Sequence, residues 1–256
     1  MNNVYNYKSR ESFTELGRGG GVNQDHTFSV ATWAVGKSKS AESPYLLANE
    51  WITSSIAQFL RLPMPPFAIV RRTRNDAMFI TYDFEGDSQP DDADPSVLYN
   101  TFPLECTGVV VLDILTVNCD RTKENIKVDN PAAPKEFHVF DHERSLFYVH
   151  AKEGMHHLQS REQRLGVTEG ADSTNEFHCL IELVDKYEHL EEWISRVESI
   201  PDWFIDEVCD EIQSLSMKKS ECRFVKDFLK KRKCKVGDLI RSNKDRFPGV
   251  TNWGLF

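Results

Sequence analysis

The sequence lacks a hydrophobic run long enough to cross a membrane. Its longest apolar stretch, residues 109–117, is interrupted by Asp113, whereas a spanning helix needs about 20 predominantly apolar residues. It also lacks a basic start followed by an apolar segment, which is the pattern of a signal peptide. From these two absences we expect a cytoplasmic protein without a membrane partner.

Cysteines at metal-binding or redox spacing are lacking as well. The 6 cysteines are scattered, with no C-x-x-C pair, so we expect buried thiols and not a disulfide framework. The adjacent histidines His156 and His157 have no third ligand spaced near them, and neighbours in sequence point apart on a helix or a strand. A zinc site is therefore not predicted.

Positive charge is in deficit over the whole chain. Lys and Arg number 31 against 40 Asp and Glu, a net charge of −9, which argues against a protein that coats nucleic acid or anionic membrane by bulk charge. The exception is local, because residues 218–235 are strongly basic and residues 182–211 are acidic. Two interpretations stay open: solvated helix faces that attract each other, or a docking surface for nucleic acid or a protein partner.

The composition is that of an ordinary globular protein. Of the 256 residues, 40% are hydrophobic and 11% aromatic, and a chain of this length buries enough surface to fold without disulfides or metals. We expect one domain of two lobes, or two small domains.

Strand patterns dominate the first third of the chain. A glycine-rich turn at residues 17–21 precedes an alternating segment at 26–33, which predicts a strand. Apolar spacing of three and four predicts a helix over 46–60, and two apolar runs, 67–71 and 78–82, predict an antiparallel hairpin. The acidic, unpatterned segment 83–96 then predicts a connection between lobes.

Helical patterns dominate the remainder. Residues 98–118 are predominantly apolar and predict a buried helix, and 125–128 and 137–140 predict two short strands. Residues 151–175 have the character of a loop. Spacing of three and four then predicts helices over 179–187, 190–197, 203–215 and 222–229.

Three oxygen-bearing side chains follow one another in an informative order. Phosphoryl transfer from ATP needs a carboxylate near the attacking hydroxyl, and an amide oxygen and a second carboxylate to hold Mg²⁺. Asp120 and Asn125 lie across a tight loop, and Asp141 follows a short strand. Their spacing allows a base and two metal ligands to share one side of a site.

This segment resembles the HipA-like kinases and, more remotely, the phosphoinositide lipid kinases. The resemblance rests on the D-R-x-x-x-N loop at 120–125 and on the hydrophobic strand that ends in Asp141 and His142. Residues 47–51 and the turn at 60–66 are similar to a family helix and the turn after it. The C-terminal residues 200–203, 228–232 and 247–248 are similar to the family's helical end.

The resemblance implies an α+β, two-lobed, protein-kinase-like fold. Residues 1–84 would form a β-rich nucleotide-binding lobe with one long helix, and residues 85–256 a mainly helical catalytic lobe. It further implies that Asp120 is the catalytic base and that Asn125 and Asp141 hold Mg²⁺. Next to them, we expect Arg121 to be a structural partner for a carboxylate and His142 to be a hydrogen-bonded core histidine.

The resemblance also implies a nucleotide site in the first lobe. Gly19, Gly20 and Gly21 would cover the ATP phosphates, because backbone N–H groups must approach the oxygens closely. Asp83 would lie near the adenine, and Glu50 on the helix would pair with a strand lysine that holds the phosphates.

That strand lysine is missing where the resemblance places it. The segment 29–35 contains none, and the nearest candidates are Lys37 and Lys39. We expect Lys37 to be the substitute, because a lysine stem is long enough to reach the phosphates from a strand end. If neither lysine reaches them, a pseudokinase is indicated.

The expected function is Mg·ATP-dependent phosphorylation of a Ser or Thr hydroxyl, on a protein or on the chain itself. Two alternatives stay open. One is a catalytically impaired pseudokinase or nucleotide-binding module that acts on a protein partner. The other is an interaction protein that works through its charged helices, as in a toxin–antitoxin pair.

Overall fold

The computed structural model describes residues 12–18, 26–31, 34–73, 76–82, 93–148, 154–167 and 178–254. It is a mixed α/β structure whose strands are β1 (Ser12–Arg18), β2 (His26–Ala31), β3 (Ala34–Ser38), β4 (Phe67–Thr73), β5 (Asp76–Tyr82), β6 (Ile126–Val128) and β7 (Phe137–Val139). Its α-helices are α1 (Leu46–Phe59), α2 (Pro95–Thr101), α3 (Pro103–Thr116), α4 (Gly154–Ser160), α5 (Tyr187–Glu198), α6 (Asp202–Ser216), α7 (Lys219–Lys233) and α8 (Val236–Ser242).

The strands form three antiparallel sheets within the described residues. β1 pairs with β2, β6 pairs with β7, and the remaining strands form a sheet in the order β3-β5-β4. The predicted hairpin is confirmed as β4 and β5, with Val70 opposite Met78. In the same sheet Lys37 lies opposite Phe79.

Helix α1 lies between this sheet and the C-terminal helices. On one side Trp51 meets Phe67 edge-on, with 5.6 Å between ring centroids. On the other side Phe59 contacts Phe204 of α6, with 4.4 Å between centroids. Because both faces are covered, even polar residues of α1 such as Asn49 are buried.

The turn after α1 joins the helix to the hairpin β6–β7. Arg61 adopts a left-handed φ of 60°, and the Leu62 amide donates to the Ala57 carbonyl at 2.9 Å. This pattern ends a helix and satisfies its last carbonyls. The Pro63 carbonyl then accepts from the Val139 amide at 2.9 Å, so the turn lies directly beside β7.

The single buried helix predicted over 98–118 is wrong in one respect, because the segment forms two helices. α2 and α3 meet at 116°. Pro103 begins α3, and the residue before a proline is disfavoured in helical conformation, so the break falls at Phe102. α2 begins at Pro95, so the last residues of the predicted connection 83–96 are helical.

Helix α3 is the centre of the core, and its residues from Cys106 to Thr116 are all buried. Its Gly108 lies against Trp193 of α5, where an added Cβ would come within 2.4 Å of the ring. The Trp193 ring nitrogen donates to the Leu104 carbonyl at 2.6 Å. In the described part of the chain no single helix has the length and apolar composition of a membrane span. The bent pair α2 and α3 meets those criteria only when the two helices are counted together.

Two secondary-structure predictions in the C-terminal half are corrected. The loop predicted over 151–175 contains α4 at Gly154–Ser160, and the helix predicted over 179–187 is a short 3₁₀ turn at Ile181–Leu183. Both elements are too short to show a clear period in the sequence. Helices α5, α6 and α7 contain the other predicted helical segments.

The acidic and basic segments face each other, as the first interpretation of the charge pattern requires. Lys226 of α7 lies 2.7 Å from Asp210 of α6, and Lys230 lies 2.7 Å from Asp206. Part of the basic segment is therefore neutralised within the fold. The cysteines are free, as predicted, and only Cys234 among them is exposed.

Candidate active site

The hairpin β6–β7 brings Asn125 and Asp141 to the same end. Ile126 pairs with Val139, and the Phe140 amide donates to the Asn125 carbonyl at 3.3 Å. Since the strands are antiparallel, the residue before β6 and the residues after β7 lie side by side. Asp141 has a left-handed φ of 60°, a conformation that Asp tolerates better than most residues, and the chain turns there.

The loop from α3 to β6 closes on itself and holds Asp120. The Asn125 side-chain nitrogen donates to the Asp120 carbonyl at 2.6 Å, and the Asp120 amide donates to the Asn118 side-chain oxygen at 3.3 Å. Val117 ends α3 with φ of 50°, which is strained for a β-branched residue. Asp120 and Asn125 are thus tied together by the loop's own hydrogen bonds.

Lys37 connects two carboxylates from distant parts of the chain. Its Nζ lies 2.6 Å from Glu50 Oε1 on α1 and 2.6 Å from Asp141 Oδ1 after β7. The Glu50 side chain is 2% exposed and the Lys37 side chain 26%. The lysine is thus partly exposed, while a buried carboxylate fixes its ammonium in position.

The strand lysine that the sequence analysis finds missing is present in the structure as Lys37 of β3. The strand directly before α1 is β3, and Lys37 lies within it, not beyond its end. In the sequence, segment 26–33 has the clearer strand pattern, because β3 is short and mostly exposed. Val35 of β3, for example, is 59% exposed. Lys39 points elsewhere and donates to the Leu215 carbonyl at 2.7 Å.

The charges around Lys37 are strongly coupled. Burial disfavours the ammonium, but the neighbouring Glu50 and Asp141 outweigh burial and raise the pKa of Lys37 above its ordinary value. Burial raises the pKa of Glu50, while Lys37 opposes that shift. The His142 amide also donates to Glu50 Oε2 at 3.1 Å, which ties the carboxylate to the chain after Asp141.

A second charge network lies beneath the loop and is fully buried. The Arg121 guanidinium donates to both oxygens of Asp113 on α3, at 2.9 and 3.1 Å. It also donates to the Phe140 carbonyl at 2.7 Å. His178 Nε2 lies 3.0 Å from Asp113, and Arg121 Nη2 lies 3.0 Å from His142 Nδ1. The network therefore links α3, the Asp120 loop and the end of β7.

Protonation in this network follows from burial and pairing. Burial opposes the Asp113 carboxylate, but Arg121 outweighs it and holds the pKa of Asp113 well below its usual range. Burial, followed by the nearby Arg121, places the pKa of His142 well below its ordinary value. His142 is thus neutral, and its Nδ1 accepts a hydrogen bond from Arg121.

Residues that the sequence analysis did not assign to the site follow Asp141. Glu143 Oε2 lies 3.8 Å from Lys37 Nζ, and Arg144 Nε lies 3.4 Å from Asp120 Oδ2. Neither belongs to a motif by which it could have been found. Asp113 did leave a signal, because it is the one charge inside the apolar stretch 109–117.

The predicted site residues therefore separate into three groups. Lys37, Glu50 and Asp141 are in direct contact, and Asp120 and Asn125 share one loop. The remaining predictions, Gly19, Gly20, Gly21 and Asp83, lie outside the described residues.

The side chains of Asn125 and Asp141 offer oxygen donors that fit Mg²⁺. Asn125 uses its side-chain nitrogen toward Asp120, which leaves its oxygen as the donor atom, and Asp141 has a second carboxylate oxygen besides the one near Lys37. Hard oxygen donors of this kind suit Mg²⁺, which keeps waters and phosphate oxygens as its other ligands. In the described ranges, no three His, Cys, Asp or Glu side chains are placed together to hold a metal ion. A Mg²⁺ ion at Asn125 and Asp141 would therefore need waters and phosphate oxygens as its other ligands.

Comparison with known proteins gives structural matches alone. No protein-family model and no curated protein sequence matches the chain. The proinflammatory kinase CtkA of Helicobacter pylori matches with a TM-score of 0.55 and 15% identity, over 90% of this chain and 95% of that one.

The toxin–antitoxin protein HipA of Shewanella oneidensis MR-1, solved with HipB and operator DNA, matches with a TM-score of 0.50 and 12% identity. The match covers 94% of this chain and 66% of that one. At such identities the likeness concerns the fold. The kinase-like fold expected from the HipA-like resemblance is confirmed, and this chain is similar in structure to HipA and to CtkA.

Proposed function

We propose that this chain is an Mg·ATP-dependent phosphotransferase that phosphorylates a Ser or Thr hydroxyl, on a protein or on itself. The observation that carries the proposal is the contact of Lys37 with Glu50 and Asp141, at 2.6 Å each. A lysine on a strand, fixed by a helix carboxylate, is the arrangement that holds the ATP phosphates in kinases. The contact also removes the main reason for preferring a pseudokinase, which was the missing strand lysine.

The remaining residues take roles around that lysine. The acceptor hydroxyl oxygen attacks the γ-phosphorus, and its proton passes to the Asp120 carboxylate. The bond between the γ-phosphorus and the β–γ bridging oxygen breaks, and its electron pair leaves with ADP. Catalysis here is mostly positioning and charge neutralisation, since the loop geometry fixes Asp120 beside Asn125.

Asn125 and Asp141 would hold Mg²⁺ through their side-chain oxygens. When bound, the ion would neutralise charge on the β- and γ-phosphates. Asp141 would then offer one carboxylate oxygen to the metal and keep the other near Lys37, whose Nζ lies 2.6 Å from Asp141 Oδ1.

The rest of the nucleotide site follows the same proposal. Residues 1–84 and 85–256 would be the two lobes, with the site between them. Gly19, Gly20 and Gly21 fall between the paired strands β1 and β2 and would cover the phosphates, and Asp83 would lie near the adenine.

A protein acceptor or partner fits better than nucleic acid. HipA was solved with a protein and with DNA, but much of the basic surface of α7 is occupied here. Lys226, Lys230 and Lys233 are all paired with aspartates of α6. We therefore place a HipA-like toxin–antitoxin role ahead of a DNA-binding one.

The test is transfer of radiolabelled γ-phosphate to the chain itself or to a mixed Ser/Thr peptide. Asp120→Asn should lower the rate by about 10²- to 10⁴-fold, the usual contribution of a positioned base. Asp245→Asn is the control, because the Asp245 side chain is 77% exposed and pairs with its neighbour Arg246. Full activity in Asp120→Asn would refute the assignment of the base, and nucleotide binding without transfer by the unaltered chain would favour a pseudokinase.

A further inference from the structure

Helix α6 carries its charges in two separate rows. The aspartates at 202, 206 and 210 recur at every fourth position and pair with lysines of α7 at 2.7–2.8 Å. Trp203, Glu207 and Glu211 recur at the same spacing one residue further along, and all three are exposed. Residues four apart lie on one face of a helix. Among the described residues neither glutamate has an ion-pair partner, so this second row keeps its negative charge.

The second row lies along the junction of α6 with α1. At one end of that junction Phe59 contacts Phe204, with 4.4 Å between ring centroids. At the other end the Trp51 ring nitrogen donates to Glu211 Oε2 at 3.2 Å. The two contacts are eight residues apart along α1, which corresponds to about 12 Å of helix. The helices are therefore antiparallel, and the outer surface of their junction is long enough to hold two turns of another helix.

Apolar side chains lie at both ends of this surface. The Trp203 side chain is 62% exposed and that of Phe59 is 40% exposed. The Trp203 ring lies edge-on to Phe204 at 6.1 Å. At the other end there is a groove of about 410 Å³, lined by Trp51, Ile69, Arg71, Glu211, Ile212 and Leu215. Apolar surface that is rimmed by charges is characteristic of protein interaction sites, and tryptophan is enriched among the residues that carry binding energy.

The charges at this surface select the kind of partner. Glu207 and Glu211 stand between the two apolar ends, and the chain as a whole has a net charge of −9. Arg71 borders the groove from β4, and Lys39 donates to the Leu215 carbonyl, so positive charge lies at the Leu215 end. The cations of a partner should therefore lie toward Glu207 and Trp203, where opposite charges complement each other.

We propose that the α1–α6 surface, formed by Trp51, Phe59, Trp203, Glu207 and Glu211, docks a basic amphipathic helix of a partner protein. The apolar face of that helix would cover Trp203 and Phe59 and enter the groove, as amphipathic helices do in other complexes. Its lysines or arginines would pair with Glu207 and Glu211 and lie over the Trp203 ring. None of the five residues belongs to the proposed nucleotide site, so the proposal stands or falls independently of phosphotransferase activity.

The test is binding of a fluorescein-labelled peptide of about three helical turns, built of leucine and lysine with the leucines on one face. Fluorescence anisotropy measures its affinity for the whole chain. The same peptide with glutamate in place of lysine is the comparison, and it should bind at least about 10-fold more weakly. Trp203→Ser should weaken binding of the lysine peptide by about 10-fold or more, the effect of removing an interface anchor.

A charge reversal separates docking from bulk attraction. The double variant Glu207→Lys, Glu211→Lys should bind the lysine peptide more weakly and the glutamate peptide more tightly. The matched control is Glu188→Lys, Glu191→Lys, which makes the same change of net charge at two exposed positions of α5. The control should bind the lysine peptide within about 2-fold of the unaltered chain, because surface charges at a distance are screened by salt. Unchanged melting temperatures show that both variants are folded.

Each other outcome contradicts the proposal. Equal weakening in the two double variants would mean that the peptide responds to net charge alone. Equal binding of the two peptides, no binding of either, or full affinity in Trp203→Ser would also overturn it. Sedimentation should show a monomer at the assay concentration. A dimer that dissociates in Trp203→Ser would assign the α1–α6 surface to a second copy of this chain and overturn docking of a separate partner.

Discussion

Two charge clusters contact the chain just after β7, and they are built differently. The Lys37 cluster, formed with Glu50 and Asp141, keeps part of the lysine side chain exposed. The Arg121 network, formed with Asp113 and His178, has no exposed side-chain surface. The first cluster can exchange partners with a ligand, whereas the second has no room to do so.

Under the proposed function, the difference assigns the chemistry to the Lys37 cluster and the geometry to the Arg121 network. A fully buried ion pair is a weak source of net stability, but it is costly to break once formed. Arg121, itself part of the Asp120 loop, donates to the carbonyls of Asn125 and Phe140, so it ties that loop to the end of β7. Lys37 is held by Glu50 and Asp141, but 26% of its side chain stays exposed and can meet a ligand.

The largest effect is expected from breaking the Arg121 network. Asp113→Asn leaves the Arg121 charge buried without an anion, which should lower the free energy of unfolding by about 3–5 kcal/mol. Urea unfolding measures it. A loss under about 1 kcal/mol would mean that water reaches the network and that it does not fix the loop.

A smaller, pH-dependent effect is expected from breaking the Lys37 cluster. Lys37→Met leaves Glu50 buried without its cation and should cost about 2 kcal/mol at pH 8, less than a fully buried pair because Lys37 is 26% exposed. Burial raises the pKa of Glu50, and Lys37 lowers it. Without Lys37, the pKa of Glu50 should therefore rise further.

The sign of the pH dependence follows from linkage. A carboxylate whose pKa is raised on folding favours the folded state when it is protonated, so stability falls as pH rises through the folded pKa. Lys37→Met should therefore regain stability on acidification toward about pH 4.3, the pKa of an unfolded glutamate. The double variant Lys37→Met, Glu50→Gln should lose this pH dependence. Equal losses at pH 8 and pH 5 in the single variant would contradict the coupling.

A neutral buried histidine of α4, His157, should give a still smaller effect. Burial, and then Arg161, lower the pKa of His157 to about 3. Below about pH 6.5 the unfolded chain takes up a proton that the folded chain does not, so stability falls by up to about 1.4 kcal/mol per pH unit. His157→Phe, which keeps the ring stacked on Tyr148 at 5.1 Å, should be less sensitive to pH between 6.5 and 5. Identical slopes for both proteins would show that His157 titrates normally.

The smallest effect is expected where charges meet at the surface. Asp206 pairs with Lys230 at 2.7 Å, but its side chain is 41% exposed. Asp206→Asn should cost less than about 1 kcal/mol, and the loss should shrink further in high salt. A cost as large as that of Asp113→Asn would remove the distinction between buried and surface pairs.

The site hairpin was predictable from sequence because its signals are local. The carboxylates and the amide stand beside short apolar strands, and β6 and β7 lie where those strands were expected. Helix α1 was equally predictable, since its apolar residues recur with a helical period. These elements depend on residues that are close together in the chain.

The position of Lys37 was harder to predict because its strand has little hydrophobic pattern. β3 is exposed at most positions, since it lies at the edge of its sheet. Its strand character comes from pairing with β5, a long-range contact that no local pattern reveals. The same reason applies to Arg144, whose partner Asp120 lies in a different loop.

The Arg121 network was predictable in part. A carboxylate partner for Arg121 was expected, and Asp113 stood out as a charge within an apolar stretch. That the two meet depends on the left-handed turn at Val117, which reverses the chain after α3. A β-branched residue gives no signal for such a turn.

The most direct test of the central claim is the melting temperature with ATP, measured with and without Mg²⁺. A ligand at 100 times its Kd adds about 2.7 kcal/mol of stability, which for a chain of this size raises the melting temperature by several degrees. The rise should require Mg²⁺, should disappear in Asp141→Asn and should persist in the control Asp245→Asn. No rise at millimolar Mg·ATP, or an equal rise in Asp141→Asn, would contradict the claim that Lys37 and Asp141 form a nucleotide site.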